Sequence, residues 1–304
     1  MDSTAHLRSL ARSMTLSSVR YVVVTPVRDE EAFVENTIRS MVSQTVLPAE
    51  WVVVDDGSSD RTGAILDEHA ARYEWMRVIH RVNRGFRSAG GGVIDAFYSG
   101  YGAVTTPDWE FIVKLDGDLS FEKDYFERAL GRFLDNPKLG IGGGSICNLV
   151  NGELQREQHP KFHVRGATKI YRRKCWDGLG GLLRVAGWDT LDEVKANMLG
   201  WTSETFTDLE LVQYRFTGAA DGQWKSFVKY GRANYVTGYH PLFMILKCLR
   251  RLPQRPVLVG SIGLLYGFVS GYVKGVPKVD DHALIAYVRK QQLNRIFMKE
   301  SIWE

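Results

Sequence analysis

Two short acidic clusters hold the residue types best suited to chemistry in this chain. Asp55-Asp56-Gly57-Ser58-Ser59-Asp60 follows the apolar run Trp51-Val52-Val53-Val54, and Asp116-Gly117-Asp118 follows Phe111-Ile112-Val113-Lys114-Leu115. A carboxylate at the end of a strand can accept hydrogen bonds from a base N–H and from ribose hydroxyls. Gly57 permits a turn, and the serines can cap a following helix. The same residues also suit a plain Asp-Gly turn with a cap, and the first cluster alone does not choose between the two. Carboxylates one residue apart can share a divalent cation. Mg²⁺ and Mn²⁺ favour such hard oxygens and often take substrate phosphates to complete their shell. A tight turn also accounts for an isolated Asp-x-Asp. Its position after a buried strand, beside a second acidic strand end, favours the cation, because two carboxylates in one crevice otherwise repel.

A third polar strand end completes the set. Tyr21-Val22-Val23-Val24 runs into Thr25-Pro26-Val27-Arg28-Asp29-Glu30. Ligands of open α/β sheets bind at the carboxyl ends of the strands, so three such ends point to one nucleotide and one metal ion. Asn83 to Gly92, with Arg84 and Arg87 among glycines, can embrace phosphate or sugar ahead of a helix; a flexible surface loop is the competing reading. It is not a dinucleotide fingerprint, which should follow the first strand as Gly-x-Gly-x-x-Gly.

The elements that must position these residues alternate. Strands are expected at 21–25, 51–55, 76–80, 109–115 and 139–147. Helical spacing of Phe33, Val34, Ile38, Met41 and Val42 marks 29–45. Further helices are expected from a cap at Ser58, Ser59 or Asp60 to about Tyr73, from Gly92 to about Tyr101, and over 122–135, ended by Asn136-Pro137. That alternation argues a parallel or mostly parallel sheet with right-handed crossovers.

Composition narrows the class. The 304 residues, 44% hydrophobic and 12% aromatic, can build one large core with or without an appendage. A net charge of +4 with no basic stripe in the first two thirds argues against nucleic acid. Cys147, Cys175 and Cys248 are odd in number and widely spaced, which fits neither a disulfide framework nor a zinc site and favours a reducing compartment. The first 20 residues lack the apolar core of a signal peptide, so a cytoplasmic, partly mobile N-terminus is expected. The last third differs. Residues 241–249 are apolar, Arg250, Arg251 and Arg255 follow, and 257–273 is uncharged with Gly263, Gly267 and Gly271 every fourth residue. Such a glycine face suits close helix packing. The run is short of the roughly 20 residues a span needs, and Lys274 and Lys278 lie beyond it. A buried helix of a soluble domain is one reading. The preferred one is a membrane-seated hairpin or short span whose arginines meet anionic head groups. Residues 279–298 read as an amphipathic helix suited to an interface.

The strings Thr-Pro-Val-Arg-Asp-Glu-Glu, Val-Val-Val-Asp-Asp-Gly-Ser-Ser-Asp-Arg-Thr and Leu-Asp-Gly-Asp-Leu-Ser-Phe together resemble family 2 glycosyltransferases over about residues 20–240. The resemblance implies the GT-A fold, an α/β Rossmann-like mixed, mostly parallel sheet flanked by helices. A tail at 1–19 would precede a nucleotide-sugar half at 20–120 and an acceptor half at 121–240, and 241–304 would form a hydrophobic, membrane-associating helical appendage. It further implies a nucleoside-diphosphate sugar donor, UDP by default, with Mg²⁺ or Mn²⁺ and a saccharide or lipid-linked acceptor. Thr25, Pro26 and Asp55 or Asp56 would contact the nucleoside; Arg28, Glu30, Arg84 and Arg87 would join the donor site. Asp116 with Gly117 would face the ribose and diphosphate, and Asp118 would hold the metal. Lys169, Arg172 or Arg173 could assist the leaving group. The family's base is usually an acid after a double-glycine loop. Here Gly180-Gly181 and then Gly187-Trp188-Asp189 follow, with Trp188 where the family has Glu. Asp189 is the first choice as base, Asp192 the second, and Glu193 or another group the third. Asp189 as an N-cap, with Asp192 at the third helical position, is the structural alternative. The Gln-x-x-Arg-Trp motif of processive enzymes is absent, and Gln213-Tyr214-Arg215-Phe216 is a loose echo. The expected activity is inverting sugar transfer to a hydroxyl in polysaccharide or glycolipid synthesis at the cytoplasmic face of a membrane. The alternatives are a polyprenyl-phosphate glycosyltransferase and a non-catalytic nucleotide-sugar-binding module.

Overall fold

A computed structural model describes residues 18–85, 91–150, 152–215, 222–254 and 256–303. Residues 1–17 of the expected N-terminal tail, Arg87 and Arg255 lie outside them. The described chain divides into two compact units. The first takes in 18–85, 95–180 and 201–215, and the second 91–94, 181–200 and 222–303.

The first unit is built on a nine-stranded mixed sheet. Its parallel half comprises β1 (Tyr21–Val27), β2 (Glu50–Asp55), β3 (Met76–His80) and β4 (Phe111–Leu115), in the order β3-β2-β1-β4. Every residue of β1, β2 and β4 is buried, as expected for parallel strands covered on both faces. Parallel neighbours need crossovers. Helices α1 (Val34–Val42), α2 (Thr62–Ala70) and α3 (Gly92–Tyr101) fall in the connections between these strands. The other half holds β5 (Leu119–Phe121), β6 (Leu139–Val150), β7 (Glu153–Arg156), β8 (Thr168–Arg172) and β9 (Thr202–Gln213). Here β4–β8, β8–β6 and β9–β5 are antiparallel while β6–β9 is parallel. Helix α4 (Tyr125–Asp135) ends at Asn136, whose extended backbone is what a following proline demands.

The strands expected from the apolar runs are all present, β1 running on to Val27. The N-cap of α2 is Arg61, with no side-chain cap bond, and not one of the three residues expected; Asp60, one residue earlier, accepts the Thr62 N–H on Oδ1 at 3.0 Å. At the foot of β2, Glu50 is only 5% exposed. One of its carboxylate oxygens accepts the N–H groups of Thr105 and Thr106 at 2.8 and 2.9 Å and both threonine hydroxyls, and the other meets Arg77 at 3.0 Å.

The second unit is helical: α6 (Trp188–Met198), α7 (Gln223–Val236), α8 (Pro241–Arg251), α9 (Val259–Val273) and α10 (His282–Ile296); the short α5 (Arg173–Leu179) belongs to the first. Leu191, Val194, Tyr235, Met244, Leu264, Phe268, Leu284 and Val288 share its core. The glycine face of α9 finds its partner within the chain. A Cβ at Gly267 would stand 2.1 Å from the carbonyl oxygen of Val228, and one at Gly231 would stand 2.0 Å from that of Leu264. Backbones that approach so closely admit only glycine.

Two expectations for this region need correction. No described helix is long and apolar enough to cross a membrane; the 15 residues of α9 reach ~22 Å against ~30 Å of hydrocarbon. Nor is 279–298 a free interfacial helix. Leu284 and Val288 of α10 are core residues, and the Tyr287 hydroxyl donates to Asn197 at 2.8 Å. The three cysteines are buried and free.

Candidate active site

Strand register brings the acidic strand ends together. Val27 pairs with Asp55, and Val24 pairs with Lys114. The carboxyl ends of β2, β1 and β4 therefore lie side by side, two strand spacings or ~10 Å from first to last. The Asp56 N–H donates to the Val27 carbonyl at 2.8 Å. Gly117 follows β4, where a Cβ would stand 2.3 Å from Cγ1 of Val27. That approach is why glycine separates the two aspartates.

Asp55 and Asp56, both buried, play different parts. One oxygen of Asp55 accepts the Ser58 N–H at 2.8 Å and the other meets His80 Nδ1 at 3.0 Å, while His80 Nε2 meets Asp67 at 3.1 Å. The hydrogen bond to Asp55, then that to Asp67, raises the imidazole pKa. Asp56 holds two arginines, Arg81 on Oδ1 and Arg84 on Oδ2, each at 2.6 Å. Arg84 also lies 3.9 Å from Asp95.

The hydroxyls of the first cluster fasten the loop after β1. Ser58 Oγ accepts the Asp29 N–H at 3.0 Å, Thr62 Oγ1 accepts the Glu30 N–H at 2.8 Å, and Asp29 Oδ1 accepts the Ser59 N–H at 2.8 Å. Asp29 itself sits at φ +52°, a region few non-glycine residues enter without such ties. Arg28 donates to Asn83 Oδ1 at 2.9 Å. Thr25 is 1% exposed, and its hydroxyl accepts the indole N–H of Trp51 at 2.9 Å, so that side chain joins β1 to β2. Pro26 stands beside Val54 in the same ladder.

The second cluster is asymmetric. Lys114, almost fully buried, donates to Asp116 and to the Gly166 carbonyl, the latter at 2.6 Å. Asp118 receives the Gln213 amide at 3.2 Å. Burial first, and the Asp116 charge second, push the Asp118 pKa up to about 6. Its backbone carbonyl accepts the Tyr214 N–H at 3.0 Å. Arg215 reaches the Glu30 carboxylate at 3.0 Å and also donates to the Asp29 carbonyl. The segment Gln213-Tyr214-Arg215 thus closes the site at two points. Its resemblance to a motif was too loose to show this from sequence; a pairing of β9 with β5, which carries it to Asp118, was not foreseeable from local pattern.

The basic residues proposed on β8 divide. Arg172 pairs with Phe111, at the opposite end of β4 from Asp116. Its guanidinium donates to the carbonyls of Leu139, Phe133 and Asn136. Arg173 donates to the carbonyls of Pro107 and Trp109 and stacks over the Trp109 ring. Both guanidinium groups are thus engaged with main-chain carbonyls of the fold. Lys169 is fully buried beside Lys114 in the ladder.

The base candidates belong to the second unit. Gly187, at φ +84°, is the N-cap of α6. Asp189 is therefore the second helical residue and not the cap. It is half-buried, whereas the Asp192 carboxylate is buried and accepts the N–H of Glu193 at 2.7 Å. Tyr239 is deeply buried, and Asp189 and Glu193 lie close enough that, after burial, their charges raise the phenol pKa further.

No trio of His, Cys, Asp or Glu converges among the described residues. A divalent cation would therefore rest on Asp116 and Asp118, two hard-oxygen donors close enough that the Asp116 charge helps raise the Asp118 pKa. They fit a divalent ion that completes its shell with phosphate and water.

Both acidic clusters lie at the carboxyl ends of the strands, where open α/β sheets bind their ligands. Residues 22–183, more than half of the chain, match Glycosyl transferase family 2, and the chain belongs to that family. It is similar to chondroitin synthase of Escherichia coli, 30% identical over 177 residues, which are 54% of this chain and 24% of that protein. The matches span less than half the length of the curated relatives. Among solved structures it is similar to the mannosyltransferase PcManGT of Pyrobaculum calidifontis in complex with GDP-Man and Mn²⁺. That likeness has a TM-score of 0.55 at 17% identity and covers 92% of this chain and 86% of that one. It is similar too to S. aureus TarS 1-349 in complex with UDP-GlcNAc, with a TM-score of 0.52 at 16% identity over 91% and 81% of the two chains. These likenesses show the GT-A fold.

Proposed function

We propose that this chain is an inverting glycosyltransferase that moves a sugar from a nucleoside-diphosphate sugar, UDP by default, to a hydroxyl of a saccharide or lipid-linked acceptor. The observation that carries the reading is the shared sheet edge of Asp55-Asp56 and Asp116-Gly117-Asp118. Relatives that synthesise polysaccharide, and fold neighbours solved with GDP-Man and with UDP-GlcNAc, support it.

In this reading the loop after β1 and Asp55 or Asp56 wall the nucleoside. Arg84, held by Asp56, meets the anionic donor. Asp118, with Asp116, would hold Mg²⁺ or Mn²⁺, which when bound supplies neutralisation of charge on the departing diphosphate. Lys114 fixes the Asp116 carboxylate, and Gln213 orients that of Asp118. Asp189 accepts the proton of the attacking hydroxyl, a contribution worth roughly 100- to 10,000-fold.

The test is a thermal-shift series with UDP-GlcNAc, UDP-galactose and GDP-mannose, with and without Mn²⁺, followed by release of nucleoside diphosphate. A nucleotide sugar should raise the melting temperature with its concentration. Asp118→Ala should lose the Mn²⁺-dependent part of that rise and the release. Asp189→Asn should keep the rise and lose release. Unchanged release by Asp189→Asn would assign the proton to another group or to an acceptor already anionic, such as a polyprenyl phosphate. No rise with any donor would end the reading.

A further inference from the structure

Around its core, the helical unit also leaves many large apolar side chains exposed. In α9, Val259, Ile262, Leu265, Tyr266, Val269, Tyr272 and Val273 are exposed, while Leu264 and Phe268 are buried together with Gly260, Ser261, Gly263, Gly267, Ser270 and Gly271. A helix that faces water carries polar residues on its outer face, whereas α9 is apolar on both. Helix α8, joined to α9 by the Ser261 hydroxyl on the Cys248 carbonyl at 2.9 Å, exposes Leu242, Ile245, Leu246 and Leu249. Their i, i+3, i+4, i+7 spacing makes one unbroken row. Helix α7 adds Trp224 and Tyr230, with the Trp224 ring 6.0 Å from that of Tyr266. Exposed apolar surface on this scale marks a covered face.

Charge names the cover. Residues 222–299 hold thirteen Lys and Arg against two acidic residues, Asp280 and Asp281. Lys225, Arg250 and Lys274 are exposed on the same three helices or directly beyond them. Apolar rows with Trp and Tyr among them and a basic surround fit the boundary of an anionic bilayer. A glycine-packed helix pair too short to span fits one leaflet and not two.

We infer that α7, α8 and α9 seat this protein in the plane of an anionic lipid leaflet, with the outward rows of α8 and α9 entering the acyl boundary. This seat does not depend on the chemistry proposed for the sheet edge.

Co-sedimentation of the full chain with vesicles tests it. Binding is expected to equal parts phosphatidylcholine and phosphatidylglycerol, to weaken on phosphatidylcholine alone, and to weaken with added salt. The triple variant Leu246→Glu/Ile262→Glu/Leu265→Glu should lower the bound fraction about tenfold or more, with donor-induced thermal shifts kept as the control for folding. Should that variant not fold, brominated lipid gives a second measure: it should quench wild-type fluorescence more than that of Trp224→Phe. A wild-type protein that binds neither vesicle overturns the inference. So does concentration-dependent dimerisation abolished by the triple variant, which would make a second copy the cover.

Discussion

Two aspartates one residue apart look interchangeable in the sequence, and the fold makes them different. Lys114 is committed to Asp116 and to a backbone carbonyl, whereas Asp118 has an uncharged amide from Gln213. The acids themselves could be read from the sequence because they end buried strands. Their partners could not, since Lys114 reads as one polar residue in an apolar run and Gln213 arrives from a distant strand. The same holds at Asp55, whose partner His80 ends the neighbouring strand. The His80 pKa is raised above its ordinary 6.5 by hydrogen bonds to Asp55 and then Asp67. Its contribution to stability is therefore complete below about 6.5 and is lost as pH climbs through the raised native value. Wild type should lead His80→Gln in melting temperature near pH 6, and the lead should shrink toward pH 9. A lead that does not vary with pH would show that the imidazole acts through packing.

At the scale of elements, the parallel half of the sheet was legible because full burial writes each strand as a continuous apolar run. Of the other half only β6 was legible. β7 is exposed along its whole length, and β9 joins β6 through a register shift between Gly144 and Ser145, so neither β7 nor that pairing leaves a periodic trace. The four-residue glycine period of α9 was visible, but a period does not name the surface it packs on. That surface is α7, through backbone contacts at Gly231 and Gly267. Gly267→Leu should lower stability by about 1–3 kcal/mol or more, since there is no side chain to yield and the helices must part. Thermal melts check it, with Ile262→Leu on the outward face of the same helix as the comparison, expected to change little. Equal losses would place the tight contact elsewhere.

Over the whole molecule, the modest net charge of +4 conceals a division. Outside residues 222–299 the chain holds twenty-six Lys and Arg against thirty-three Asp and Glu. The acidic part carries the sheet edge read as a donor site, and the basic part carries the outward apolar rows. Composition read over the full length averages the two away.

The Glu50 clamp has a consequence for how the first unit opens. Thr105 and Thr106 lie in a connection, where amide protons ordinarily trade with solvent deuterium fast. Both of their N–H groups end on one buried carboxylate at the foot of β2. Their exchange should therefore run at the slow pace of the central strands, and Glu50→Gln should release it while leaving the amides of β1 protected. The foot of the sheet would then be its anchored end, and fluctuation would concentrate at the rim where ligands arrive.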